Sequence, residues 1–169
     1  GNNASMLDLY QQLKHKPGNL FTSPYSISSA LAMTFAGARG ETEAQMASGL
    51  HFLLPQEKLH PAFNSLDQIL SSREEADLPE DSGDPFQLTI ANTIWGQQDF
   101  QFEDAFLDTL ARYYGAGLRL LDFQAQPEES RQVINEWVSQ KTEEKIQDLI
   151  PQGAITTDIR LVLSNAIYF

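Results

Sequence analysis

Apolar side chains recur every three or four residues along much of the chain, which is the spacing of one face of an α-helix. The segment after Ser23-Pro24 begins as a helix should, because Ser caps free N–H groups and Pro needs no hydrogen-bond donor there. It carries no charge before Arg39, and its few polar side chains are small, so we expect protein on every side of it. The predicted helices cover residues 6–13, 24–36, 42–50, 59–70, 102–113 and 127–150.

Alternating polar and apolar positions predict β-strands between these helices. Residues 86–95 and 116–123 are two such segments, and residues 19–21 are a third, shorter one. The final segment, 161–169, is apolar on both faces, which is typical of a strand in the middle of a sheet. The other predicted strands are too few to flank this last strand on both sides. We therefore expect the chain to continue past Phe169 or a second polypeptide to complete the sheet. This order of elements predicts an α+β fold with helices packed around a sheet.

Composition excludes several classes of function. The 169 residues include 23 acids and 11 bases, a net charge of −12, so we expect no binding to nucleic acid, whose phosphates need Lys and Arg. The chain has no cysteine, which excludes disulfides and thiolate chemistry. No run of about eighteen apolar residues occurs, so we expect no membrane span. The length suits a single domain that covers residues 1–169.

Candidate catalytic and metal-binding residues are few. His51 and His60 flank Glu57, but this spacing does not place two imidazole rings and a carboxylate around one metal ion. The acidic segment 73–85 lacks the alternating oxygen ligands of a calcium loop. The sequence has no GxSxG motif, and its glycines match no nucleotide-binding loop. We therefore expect no enzymatic activity, no metal and no cofactor.

Three polar residues occupy positions where apolar ones are expected. Ser23 and Ser26 lie at the start of the enclosed helix, and Asn165 lies within the strand that is apolar on both faces. A buried hydroxyl or amide without a hydrogen-bond partner costs about 1–3 kcal/mol, so these side chains need partners. We interpret them as a latch whose hydrogen bonds change when the sheet rearranges.

Long motifs of this sequence resemble those of the serpins and follow the same order. The most specific are residues 19–33, NLFTSPYSISSALAM, and residues 37–46, GARGETEAQM. Three further segments that resemble serpin motifs are the pair Ala91-Asn92, residues 133–138 (VINEWV) and residues 163–169 (LSNAIYF). Serpins are longer than this chain, so the resemblance implies the N-terminal part of one serpin domain, with helices packed around strands of a large central sheet.

The resemblance also implies roles for individual residues. Ser23, Ser26 and Asn165 match the shutter of the serpins, a polar latch that controls the opening of the central sheet. The residues that match the structural core of the family are Pro24, Asn92, Trp137 and Phe169. The reactive loop, which determines the target protease, is not among the matching segments.

The function that the resemblance implies is inhibition of a serine protease, with cysteine proteases as alternative targets. Inhibitory serpins are cleaved in their reactive loop, remain acyl-linked to the protease, and insert the loop into the sheet as a new strand. The alternative is a serpin that carries a ligand or acts as a chaperone. Activation by heparin is disfavoured, because Lys58 and Arg73 are followed by six acids. The glycosylation sequence Asn3-Ala4-Ser5 favours an extracellular protein, with a cytoplasmic one as the alternative.

Overall fold

The structure is a computed structural model that describes residues 1–72, 88–115 and 117–168. The helices are α1 (Asn2–Leu13), α2 (Pro24–Phe35), α3 (Gly40–Gly49), α4 (Gln56–Ser71), α5 (Asp104–Tyr114) and α6 (Pro127–Lys141). The strands are β1 (Thr89–Gln97), β2 (Arg119–Leu121) and β3 (Leu161–Tyr168). The predicted α+β class is therefore confirmed.

The strand β1 lies in the middle of a sheet with the order β2-β1-β3. It runs parallel to β2, to which only Trp95–Gln97 pair. It runs antiparallel to β3, with a register that extends from Thr89 opposite Tyr168 to Gly96 opposite Leu161. Within the described residues β3 pairs with β1 alone, so its central position in a completed sheet stays a prediction. The further strand that we expect beside β3 stays a prediction.

Helices cover both faces of this sheet. Successive residues of a strand point to opposite sides, so neighbouring residues of β1 contact different helices. On one face, Ile94 of β1 packs against Met33 of α2 and Leu110 of α5. On the other face, Trp95 of β1 packs against Ile134 of α6. The sheet is therefore the middle of three layers, with α2 behind it and α6 in front.

The enclosed helix α2 begins as its sequence predicts. The side chain of Ser23 caps the helix by accepting a hydrogen bond from a backbone N–H in the first turn, where Pro24 is the first helical residue. On its side away from the sheet, Phe35 packs in one apolar cluster with Phe52 and with Phe63 of α4. Contacts on both sides explain why its sequence carries no charge.

The beginnings of α3 and α4 differ from the prediction. α3 begins at Gly40, two residues before the predicted start, so Thr42 lies within the first turn and does not cap the helix. α4 begins at Gln56, and its buried apolar residues are Leu59 and Phe63. The side chain of Leu66, which was expected to face inward, is exposed. Caps depend on one or two residues, so their position is the weakest part of a prediction from spacing.

The predicted strand at residues 19–21 is wrong, because the described structure places no strand there. The side chains of Leu20 and Phe21 are 44% and 64% exposed. The prediction of a helix over residues 127–150 is also wrong in its end, because α6 stops at Lys141. The acidic segment 73–85 and the strand residues Phe86, Gln87, Ala116 and Phe169 lie outside the described residues.

Candidate functional site

Two asparagines lie opposite each other where β1 and β3 pair. Asn92 and Asn165 are partners in the antiparallel register, so both side chains project from the same face of the sheet. The amide of Asn165 donates a hydrogen bond to Oδ1 of Asn92. This contact joins the two strands through side chains as well as through the backbone.

Ser26 of α2 completes this arrangement from the helix behind the sheet. Nδ2 of Asn165 donates to Oγ of Ser26 at 2.6 Å and lies 3.3 Å from the Ser26 carbonyl oxygen. Nδ2 of Asn92 donates to the same carbonyl at 3.4 Å. We call these three residues the polar cluster. Since Ser26 is only 1% exposed, the hydrogen bonds form in a nearly dry environment, where an unpaired polar group is costly.

Ser23 acts one step away from the polar cluster. Its Oγ accepts a hydrogen bond from the backbone N–H of Ser26 at 3.3 Å, and this bond caps α2. Ser23 therefore fixes the backbone that presents the hydroxyl and the carbonyl of Ser26 to the two asparagines. The structure brings all three predicted shutter residues together, with Ser26 and Asn165 in direct contact.

Asn92 is the member of the polar cluster that sequence reasoning missed, since it was assigned to the structural core. The reason is physical: an asparagine in a half-buried strand becomes informative only when its partner across the sheet is known. The signal present in the sequence is the low preference of asparagine for strands, which Asn92 and Asn165 share. The register of β1 with β3 then makes the pairing plain.

The remaining predicted core residues lie elsewhere. Trp137 of α6 packs edge-on against Trp95 of β1, with ring centroids 5.7 Å apart. Nε1 of Trp95 donates to Oγ of Ser164 at 2.7 Å, in the buried space between α6 and the sheet. Pro24 occupies the first turn of α2, and Phe169 lies outside the described residues. Trp137 therefore belongs to the front face, on the opposite side of the sheet from the polar cluster.

Neutral groups alone make up the polar cluster, namely two amides, a hydroxyl and a backbone carbonyl. Its strength therefore depends on geometry and on exclusion of water, and pH acts on it only through neighbouring groups. Tyr25 follows Pro24 in the same helix, and its hydroxyl contacts Asp67. Burial, followed by the negative charge of Asp67, raises the pKa of Tyr25 above its usual range. The arrangement holds two strands on one helix, and its neutral amides do not supply a nucleophile.

The two histidines that were weighed as metal ligands have separate partners. Nε2 of His51 lies 2.7 Å from Oδ2 of Asp8, and Nδ1 of His60 lies 2.7 Å from the hydroxyl of Tyr114. Among the described residues, no group of three or more histidine and acidic side chains is placed to hold a metal ion. None of the helices in the described part of the chain is long and apolar enough to cross a membrane.

Comparison with protein families identifies the fold. The family model described as serpin (serine protease inhibitor) matches residues 1–169. The chain belongs to the serpin family. Among solved structures, emu ovalbumin matches with a TM-score of 0.81 at 26% identity and covers 98% of this chain and 44% of its own. Manduca sexta serpin-12 matches with a TM-score of 0.82 at 24% identity, over 99% of this chain and 44% of its own, and supports the fold alone.

Two curated relatives show how much of a serpin this chain represents. Leukocyte elastase inhibitor of Bos taurus is 42% identical over 165 residues, which are 96% of this chain and 41% of the relative. An uncharacterized serpin-like protein of Methanosarcina acetivorans is 36% identical over 172 residues, 99% of this chain and 38% of the relative. The chain therefore spans about two fifths of the relatives it matches. The names of these relatives state no compartment, so the expectation of an extracellular protein gains no support from them.

Proposed function

We propose that the protein to which this chain contributes inhibits a serine or cysteine protease by irreversible trapping, with residues 1–169 as the N-terminal part of one serpin domain. The family description and the relatives named as elastase inhibitors support inhibition in general. The observation that carries the trapping mechanism is the polar cluster, in which Asn92 of β1 and Asn165 of β3 both bind Ser26 of α2.

The proposed mechanism uses the sheet as a store of free energy. Within the described residues, the edge of β3 that faces away from β1 pairs with no strand, and a strand added there would gain a row of backbone hydrogen bonds. The form without the inserted strand is then a kinetic trap that persists because its conversion is slow. The polar cluster supports this proposal, because it ties β3 to α2 and so opposes early movement of the strand.

In this proposal the protein is not a catalyst, since the nucleophile that attacks the reactive loop belongs to the protease. The partners are the target protease and the rest of the serpin chain, or a second polypeptide, that completes the sheet. Leukocyte elastase is the first protease to test, because relatives at about 40% identity are named for its inhibition. The proposal applies equally to an extracellular and to a cytoplasmic protein.

Incubation of the full-length protein with leukocyte elastase and a panel of serine and cysteine proteases tests the proposal. We expect a covalent adduct with at least one protease that survives SDS and heating, because the acyl bond is trapped before hydrolysis. The control is the same protease inactivated beforehand at its nucleophile, which should give no adduct. Cleavage of the loop by every protease without any adduct would contradict inhibition and would favour the carrier or chaperone alternative.

The latch role of the polar cluster needs variants of its own. Ser26→Ala and Asn165→Ala should each speed spontaneous loop insertion or polymerisation about tenfold, because loss of a buried hydrogen bond costs about 1–3 kcal/mol. The matched control is Ser28→Ala, which removes a buried hydroxyl from the same helix without touching the cluster. Equal rates in all three variants would remove the latch role from these residues, even if the adduct forms normally.

A further inference from the structure

A cavity of about 410 Å³ lies where β1 and β2 separate. The two strands pair only at Trp95–Gln97, so the earlier residues of β1 have no neighbour on that side within the described chain. The space between is bounded by β1, by Gly115, Gly117 and Leu118 before β2, and by one side of α6. A cavity of this size accommodates a small organic molecule.

Two polar atoms of the residues that line this cavity have no hydrogen-bond partner among the described residues. They are Oγ1 of Thr93 on β1 and Nε1 of Trp137 on α6, and both atoms are buried. Thr93 as a whole is 1% exposed. An indole N–H can only donate, and a buried donor without an acceptor costs about 1–3 kcal/mol. Both groups therefore belong to residues that line the cavity and lack a partner among the described residues.

Two cations line the same cavity. Arg119 of β2 stacks over the ring of Trp137 at 5.7 Å and over that of Trp95 at 5.5 Å, and Lys141 is the last residue of α6. Neither cation forms an ion pair within the described chain, and the described residues that line the cavity include no acid. In a chain with a net charge of −12, two unpaired cations beside two free donors form an electropositive site.

The walls of the cavity add an apolar surface to these donors. Ile90 and Ala91 of β1, Leu118 before β2, and the ring of Trp137 line it together with the polar groups. A water molecule satisfies Thr93 and Trp137, and solvent hydrates the two exposed cations, but only an anion supplies an acceptor and a counter-charge together. An anion with an apolar body matches both parts of the surface.

We propose that this cavity binds a small organic anion, whose carboxylate or phosphate group accepts hydrogen bonds from Thr93 and Trp137 between Arg119 and Lys141. The apolar body of the ligand lies against Ile90 and Leu118. Asn92 of the polar cluster also borders the cavity, but the ligand groups named here lie on the side of β1 that faces β2, whereas the trapping mechanism uses the edge of β3 that pairs with no strand among the described residues. Its test therefore does not depend on whether the protein inhibits a protease.

The indole N–H signal of Trp137 in a nitrogen–proton correlation spectrum of the full-length protein reports binding directly. It is assigned by its loss in Trp137→Phe. Titration with benzoate or phenyl phosphate should shift this signal saturably at millimolar concentration or below. The indole of Trp95 already donates to Ser164 and should move less. Inorganic phosphate tests the anionic group alone, and benzyl alcohol tests the apolar body alone; each should bind at least about fivefold more weakly than phenyl phosphate, which carries both.

Variants of the cavity decide whether the site is the one proposed. Arg119→Gln, Lys141→Gln and Thr93→Val should each weaken the binding of phenyl phosphate about tenfold, the effect of losing one charge-assisted hydrogen bond or a close cation. The matched control is Arg112→Gln, because Arg112 stacks on Tyr113 outside the cavity. No saturable shift of the Trp137 signal, equal affinity in all variants, or equal binding of benzyl alcohol would overturn the proposal. If inorganic phosphate binds as tightly as phenyl phosphate, the site does not recognise the apolar body, and the proposal of an organic ligand is wrong.

Discussion

His60 of α4 uses both nitrogens of its ring, one to contact α5 and the other within its own helix. Nδ1 lies 2.7 Å from the hydroxyl of Tyr114, and Nε2 lies 3.3 Å from Oε1 of Gln56. The amide of Gln56 is oriented by its Nε2, which donates to the Ala38 carbonyl and to Glu43. Oε1 of Gln56 can therefore only accept, so the proton of His60 is on Nε2 and Nδ1 accepts from Tyr114.

The ring at position 60 is held in a site that favours its neutral form. Burial, aided by the positive charge of Arg39 and opposed by Glu57, lowers the pKa of His60 to about 4. In the unfolded chain the pKa of histidine is about 6.5, so between these values the unfolded state binds more protons than the folded one. The free energy of unfolding therefore rises with pH across this window, and the contribution of His60 is lost as the solution is acidified.

The variant His60→Asn isolates this pH dependence, because asparagine retains an acceptor near the position of Nδ1 but does not titrate. We expect the urea midpoint of the native protein to fall more steeply than that of the variant between about pH 6.5 and pH 4. His15→Asn is the matched control, since His15 is exposed, and it should retain the native slope. Parallel curves for the native protein and His60→Asn would show that the buried ring is not the group that titrates.

At the scale of elements, α6 ends nine residues before the end that its apolar spacing predicts. Thr142 is buried, and its hydroxyl donates to the Val138 carbonyl at 2.9 Å while accepting from the N–H of Ile146 at 3.1 Å. The next two residues, Glu143 and Glu144, have φ angles of 47° and 61°, which an α-helix does not allow. The chain therefore turns sharply after α6.

The segment after this turn folds back along the helix. The side chain of Asn135 bonds both backbone groups of Ile150, donating to its carbonyl at 2.9 Å and accepting from its N–H at 2.8 Å. Arg131 donates to the same carbonyl at 2.9 Å. Ile146 and Ile150 thus reach the core beside α6 without being helical, which is why their spacing suggested a longer helix. Apolar spacing reports which residues are buried, and long-range hydrogen bonds decide the backbone path.

The left-handed conformation of Glu144 allows a stabilising substitution. Glycine adopts a positive φ without a steric penalty, whereas other residues pay about 1–2 kcal/mol, partly offset by the greater entropy of glycine when unfolded. Glu144→Gly should therefore raise the free energy of unfolding by about 0.5–1 kcal/mol, measured by urea denaturation. Glu136→Gly, within α6, is the matched control and should lower it by about 1 kcal/mol. A loss of similar size in both variants would contradict the role assigned to the turn.

For the whole molecule, the sequence predicted the order of most elements, and the resemblance predicted the family. The contact of Ser26 with Asn165 spans 139 residues, and only the family motifs, not local spacing, connected the two positions. Asn92 was not added to them because its partner depends on the register of β1 with β3. Local patterns determine helices and caps, whereas the polar cluster arises from long-range pairing that no local pattern contains.

The charge distribution of the chain favours binding of a small anion over binding of a polyanion. The cavity beside β1 offers two cations at one point, whereas the chain as a whole has a net charge of −12. In serpins that bind heparin, the usual binding region is a stretch rich in Lys and Arg near the helix that corresponds to α4. Here that helix carries Lys58 as its single lysine, together with Glu57 and Asp67. A polyanion extends well beyond the Debye length of about 10 Å at 0.1 M salt, so it meets the surrounding acids as well as the cavity.

We therefore expect residues 1–169 to contribute no affinity of the full-length protein for a heparin column at about 0.1 M salt. Glu57→Lys combined with Gln68→Lys places two further cations on the exposed side of α4 and should produce retention that is lost as salt is raised. Lys141→Gln should leave elution from the column unchanged, because a single cation does not hold a polyanion. If the native protein is retained and Lys141→Gln is not, the cavity is the end of a longer anion-binding surface. The net negative charge would then not exclude a polyanion from the site.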